Sequence, residues 1–295
     1  MTTKIEIAEF PETSQSLTSL AIRALLRHRS GMVGLIIIII IIVLALLAPW
    51  LAPFDELEMH AADRFHPPSK TYLFGTDEFG RDIFSRILIG ARTSLSVGVY
   101  SILIAAVVGV TVGLVAGYES GWFDTIIMRF FDALLAFPAI LLAIVILAVL
   151  GPGAFTAMLA IAIVNIPAFA RLTRANVLAE KEKDYIEAAR ALGAKPTRII
   201  FGQIFPNVLA TLLVQVTVSI AGAILLESAL SFLGLGTPVP APSWGSMLSV
   251  GRGYMAYAPW YSIFPGLAIT FLVMGLFLLG DGLRDILDPR RQKLV

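Results

Sequence analysis

The stretch GMVGLIIIIIIIVLALLAPWL, Gly31–Leu51, decides the fold class, because it carries no charged side chain and holds seven consecutive isoleucines, Ile36–Ile42. A helix needs about 20 apolar residues to cross roughly 30 Å of hydrocarbon. This run is therefore read as a first transmembrane span. A cleaved signal peptide would have a shorter apolar core and a small-x-small site after it, whereas Ala48-Pro49-Trp50-Leu51 follows here.

Five more apolar stretches extend the pattern: Thr93–Gly117, Ala133–Leu150, Ala154–Ala170, Val208–Leu233 and Tyr261–Gly280. Each is bounded by charge or by Gly and Pro, which predicts an all-α polytopic membrane bundle of six transmembrane helices. Asn165 and Pro167 interrupt the fourth stretch, so a kink is expected there, with the freed backbone groups satisfied by neighbouring helices. The whole chain agrees: 57% of its 295 residues are hydrophobic and 15% charged, with a mean hydropathy of +0.84. A net charge of +1 leaves no electrostatic footprint for nucleic acid. The absence of cysteine removes disulfide scaffolds, thiolate catalysis and cysteine metal sites.

Sixteen of the 22 Lys and Arg residues fall in segments that are cytoplasmic if the N-terminus is inside. The positive-inside bias thus predicts both termini in the cytoplasm. Four regions follow: a cytoplasmic tail with an interfacial helix (1–30), the first span and an extracytoplasmic loop (31–92), a transmembrane core (93–283) and a cytoplasmic tail (284–295). Within the tail, Ile22–Arg29 with its three arginines is expected to lie along the membrane surface. In the second stretch Gly98, Gly109, Gly113 and Gly117 include small-xxx-small spacings that admit close helix approach, either inside one subunit or at a dimer face.

The longest cytoplasmic loop, 171–206, has strong local signals. Asp184 with Glu187 reads as a capping box, and Tyr185, Ala188, Ala189 and Leu192 fall at i, i+3, i+4 and i+7 on one apolar face. Gly193 and Pro196 stop the helix, and a second short helix leads into the fifth span. A small face of this kind either docks in a groove of a soluble partner or lies on lipid, and spacing leaves both open.

Further residues stand out by setting. Glu227, inside ILLESAL (Ile224–Leu230), is an ionisable group in an apolar span and so a candidate for the pathway, a subunit interface or a bond to a neighbouring helix. Asp77, Glu78, Arg81 and Asp82 form a charged cluster outside the membrane, read first as a self-paired, solvated loop and second as a contact for an extracytoplasmic protein. A calcium site there lacks the ligand count. Pro238, Pro240, Pro242 and Trp244 predict an ordered outer loop that bars a seventh helix. The three histidines lie outside the spans and neither H-E-x-x-H nor a Walker A sequence occurs, which excludes a buried Ser-His protease, a zincin and a P-loop ATPase. An ion-coupled secondary transporter would place several ionisable groups at midplane, where only Glu227 comes close.

The run Glu187-Ala188-Ala189, three residues, Gly193 and then Pro206 resembles the EAA loop of ABC importer permeases, E-A-A-x3-G-x9-I-x-L-P, with Gln203 and Phe205 in place of the pattern's Ile and Leu. FGTDEFGRDIFSR (Phe74–Arg86), LSFLGLG (Leu230–Gly236) and GDGLRDILDP (Gly280–Pro289) are similar to the C-type permeases of dipeptide, oligopeptide and nickel importers. That resemblance implies a type I importer fold and a non-catalytic subunit of the prokaryotic plasma (inner) membrane. It also implies a homologous B-type permease, two ATPase subunits that bind ATP and Mg, and an extracytoplasmic solute-binding protein, with no cofactor in this chain. Glu187, Ala188, Ala189, Gly193 and Pro206 would then couple ATP-driven closure of the ATPases to tilting of the spans. The solute would be a di- or oligopeptide by family frequency, with nickel, glutathione, opines or oligosaccharides as alternatives.

Overall fold

A computed structural model describes residues 28–287, and the described residues are almost wholly helical. The expected surface helix at 22–29 lies outside them apart from His28 and Arg29, as do residues 288–295 of the C-terminal tail. In order the helices are α1 (Arg29–Leu51), α2 (Ile83–Glu119), α3 (Gly121–Leu135), α4 (Ala139–Leu150), α5 (Ala154–Lys181), α6 (Asp184–Ala191), α7 (Pro196–Ile199), α8 (Phe205–Phe232), α9 (Trp244–Gly251) and α10 (Trp260–Leu287).

Five helical stretches are long and apolar enough to span a bilayer, and α3 with α4 supplies a sixth if that bent pair counts as one. The third expected span is thus corrected: Ala133–Leu150 is no straight helix, because α3 and α4 meet at 94°. Pro138 explains the break, since it lacks an N–H and disfavours helical geometry at Phe137 before it. The fourth span differs in the other direction. Helix α5 continues unbroken through Pro167 to Lys181, while the Asn165 side chain donates to the Ile161 carbonyl at 2.8 Å. The prolines of 238–242 do not leave the outer loop free of helix either, since the eight-residue α9 starts at Trp244, capped by Ser243.

Glycine sets the helix spacing. A Cβ at Gly109 would meet Phe169 Cβ at 2.6 Å, one at Gly113 the Ala170 carbonyl at 2.5 Å, and one at Gly117 Val177 Cβ at 2.8 Å. The α2 glycine row therefore seats α5 within the subunit, and Gly98 does the same for Ile224 of α8. A second close crossing, which the sequence reading overlooked, sets Gly34 of α1 against the Gly275 carbonyl of α10.

Helix α2 spans about 55 Å at the usual rise of 1.5 Å per residue. It therefore reaches from one end of the bundle, where the loops 52–82 and 233–259 gather, to the other, where α6 packs.

Candidate functional site

The loop end holds the charged cluster, and the expectation of a solvated loop is wrong there. Asp77 is 0% exposed and Arg81 and Asp82 each 2%, with Glu78 also buried. Asp77 accepts from Arg81 Nε at 2.6 Å and from the backbone N–H groups of Phe79 and Arg81 at 2.8 and 3.0 Å. Arg81 Nη2 donates to Glu78 Oε1 at 3.3 Å. Arg86, which the sequence reading did not single out, is buried beside them and donates to the Glu56 carbonyl at 2.7 Å and the Pro240 carbonyl at 3.4 Å. Asp82 caps α2 by accepting from Ser85 N at 2.8 Å and Ser85 Oγ at 2.7 Å. Burial pushes the Asp82 carboxyl above the usual range, against the lowering effect of those Ser85 bonds. The turn depends on Gly80, at φ +76°, where a Cβ would lie 1.9 Å from the His60 carbonyl.

A self-paired cluster was foreseen; its burial was not. The chain wraps over itself here: Trp260 Nε1 donates to the Thr76 carbonyl and Trp244 Nε1 to the Ile87 carbonyl at 3.0 Å. These bonds lock the loop 52–82 and helix α9 onto the tops of α2 and α10.

Glu227 lies just beneath, 1% exposed inside its own subunit. Its carboxylate accepts from Ser231 Oγ at 2.8 Å and Ser228 Oγ at 3.5 Å, with the hydroxyls of Ser94 on α2 and Ser243 at the α9 cap turned toward it. The carboxylate thus joins three elements through hydroxyls, which is the bond to neighbouring helices that the sequence left open.

The opposite end carries α6. Helix Asp184–Ala191 follows the expected bounds, but its details differ. Lys183, not Asp184, is the N-cap and has no side-chain cap bond, while Asp184 and Glu187 stand in the first turn, where the helix dipole favours anions. Of the expected face only Ala189 is buried; it joins Ile186 against Leu114, Val177, Ile199, Ile204 and Val208. Ala188 and Leu192 point away, with Leu192 88% exposed, while the half-exposed Tyr185 turns its hydroxyl back onto Glu180 and Asn207. The periodicity was sound and the seating strip lies one residue round the helix, because the larger Ile186 fills the cleft better than Ala188.

Helix α6 ends in a Schellman motif: Gly193, at φ +77°, donates to the Arg190 carbonyl at 2.9 Å and Ala194 to the Ala189 carbonyl at 3.0 Å. Pro206 lies in the first turn of α8 directly after a π-helical turn, Ile200–Ile204. Proline removes one backbone donor and crowds the preceding turn, and the widened turn accommodates it. Glu187 is exposed and forms no ion pair among the described residues.

Helix α3 is bound to α5 by charge. Arg174 grips Asp124 through Nε at 2.5 Å and Nη2 at 2.7 Å, and Arg171 pairs with Asp132.

Comparison with known proteins fits this geometry. Residues 109–293 match the family of binding-protein-dependent transport system inner membrane components, and residues 16–68 match the N-terminal TM domain of oligopeptide transport permease C. The chain is 49% identical to the dipeptide transport system permease protein DppC of Alkalihalophilus pseudofirmus, over 92% of this chain and 89% of that one. It is 45% identical to the glutathione transport system permease protein GsiD of Pectobacterium atrosepticum, over 91% and 89%. The fold is similar to that of a chain of the MetNI methionine ABC transporter in an inward-facing form, at a TM-score of 0.56 and 20% identity, covering 68% of this chain and 96% of that one. With its helical bundle, its exposed E-A-A helix and these relatives, the chain belongs to the binding-protein-dependent transport system inner membrane components, as a multi-pass ABC importer permease of the C type.

Proposed function

We propose that this permease forms half of the translocation pathway for di- or oligopeptides and that α6 docks it to a separate ATPase. The observation that carries the docking role is the outward strip of Ala188 and Leu192, since a leucine 88% exposed on a short helix marks an unfilled contact. In this reading the α6 end and both termini face the cytoplasm. A B-type permease completes the pathway, two ATPase subunits hold ATP and Mg, and an extracytoplasmic binding protein delivers solute at the loop end. The names of the dipeptide relatives support the peptide class, and glutathione, itself a small peptide, remains the second choice through the GsiD relative.

Glu187, Ala188, Ala189, Gly193 and Pro206 have distinct parts in this coupling. Glu187 meets the ATPase, and Ala188 keeps the docking strip low. Ala189 seats the helix, while Gly193 ends it and Pro206 widens the turn into α8. Asp77, Arg81 and Asp82 hold the loop end in one shape for the binding protein, and Glu227 fixes the α8–α9 corner beside the pathway.

The test is affinity purification of the tagged chain from its native membrane with Glu187→Lys alongside. The wild type should bring down a second permease and ATPase subunits with vanadate-sensitive turnover. Glu187→Lys should insert normally yet lose transport. Recovery of the chain alone, folded and without ATPase activity, would instead favour an ion-coupled transporter, and normal uptake by Glu187→Lys would remove that residue from the coupling role.

A further inference from the structure

Besides the Arg190 guanidinium, which lies over the Tyr118 ring of α2 at 5.4 Å, helix α6 touches the rest of the bundle in two physically different ways. Ile186 and Ala189 sit in an apolar cleft, a contact without preferred direction that tolerates sliding. The second contact is directional. The Tyr185 hydroxyl donates to Glu180 Oε1 near the end of α5 and accepts from Asn207 Nδ2, in the first turn of α8, at 3.0 Å. One phenol oxygen therefore ties the short helix to two long ones.

Both partners are themselves anchored. Glu180 is buried and also pairs with Lys183 at 2.7 Å. Asn207 also donates to the Gln203 carbonyl at 2.7 Å, inside the π-helical turn. Next to Glu180, Lys181 donates to Ser120 Oγ at 2.7 Å and to the Gly117 carbonyl at 3.1 Å, closing the end of α2. Partial burial of the hydroxyl end, then the Glu180 acceptor, push the Tyr185 pKa up to about 12, so the group remains a donor at physiological pH.

We infer that Tyr185 is a positioning residue for coupling: its hydroxyl makes α5 and α8 follow α6 together when α6 is displaced. The inference rests on the docking role of α6 proposed above. Without the hydroxyl the outward strip is unchanged, so docking persists, but Ile186 and Ala189 can slide in their cleft and the displacement of α6 reaches the spans incompletely. Hydrogen bonds resist such sliding because they weaken steeply away from their preferred geometry.

The chain has no cysteine, so a pair of spin labels can be placed without background in this subunit. Trp50 at the loop end of α1 and Leu233 beyond α8 are exposed sites for them. In the assembled transporter, the label distance is measured without nucleotide and after trapping with ATP, Mg and vanadate. The wild type should show a shift between the two conditions. Tyr185→Phe should assemble with the same ATPase subunits and trap nucleotide, yet lose the shift. Asn207→Ala, at an exposed position that cannot compromise the core, should reduce it. Glu180→Gln, which retains an acceptor for the hydroxyl, should keep it. A full shift in both Tyr185→Phe and Asn207→Ala overturns the link while leaving the docking role intact. No shift in the wild type overturns the docking role itself, and with it this link.

Discussion

The two ends of the bundle invert the usual placement of side chains in opposite senses. At the loop end, charges are inside: Asp77, Arg81 and Arg86 are buried and bonded to one another or to carbonyl groups, and the buried Asp82 accepts from Ser85. At the α6 end, an apolar group is outside, with Leu192 facing away from the chain. Buried charges persist where partners compensate them, and each of these has one within the chain, although Glu78 Oε2, Asp82 Oδ1 and Arg86 Nε find no hydrogen bond among the described residues. Exposed apolar groups on a short, rigid helix make an unfinished contact. The difference teaches that internal pairing resides at one end and, in the function proposed above, association at the other, and that charge on a loop and apolarity on a helix each mislead when read without burial.

The comparison can be broken most easily at Asp77. Asp77→Ala strands the buried guanidinium of Arg81 and should cost about 3–5 kcal/mol, seen as a large fall in melting temperature and in recovery of the detergent-solubilised chain. An unchanged melting temperature would mean that water reaches the cluster and that the two ends do not differ. Next comes Glu227→Leu, which leaves the surrounding serine hydroxyls without their acceptor and should cost about 1–3 kcal/mol. Glu227→Gln, which keeps an acceptor, should recover most of this; if Gln is as damaging as Leu, the carboxylate charge and not its bonds matters.

The α6 end should respond far less in stability. Gly193→Ala has open space for the methyl but must adopt positive φ, so about 1 kcal/mol is expected, together with weaker ATPase retention because the end of α6 is displaced. Smallest of all, Leu192→Ser should alter stability by no more than about 0.5 kcal/mol, measured by thermal unfolding, while recovery of the ATPase on the tagged chain falls. A loss of stability in Leu192→Ser with full ATPase recovery would reverse the roles of the two ends.

How much of this was legible follows from the range of each interaction. The bounds of α6 could be read from Asp184 to Gly193 because periodicity, acidic residues in the first turn and a positive-φ stop act within a few residues, although the capping box itself does not form. Which strip of α6 is buried could not, since the cleft is built by Leu114, Val177, Ile199 and Val208 from four other helices. The 94° corner between α3 and α4 did have a local signal in Phe137-Pro138, hidden by the continuous apolarity on both sides. Arg86 carried no signal, being one more charge in a charged loop; its carbonyl partners lie 30 and 154 residues away.

The sequence by itself determined that this is a polytopic helical membrane protein, where its apolar runs lie and that an E-A-A helix stands between two of them. Those features depend on hydropathy and short-range backbone preferences, which each segment carries alone. Only the tertiary structure decided that the loop charges are internal, that Glu227 sits within its own subunit under a roof of serines, and that Tyr185 bridges α5 and α8. Burial and hydrogen-bond pairing are properties of what other segments bring alongside, and no local stretch of chain contains them.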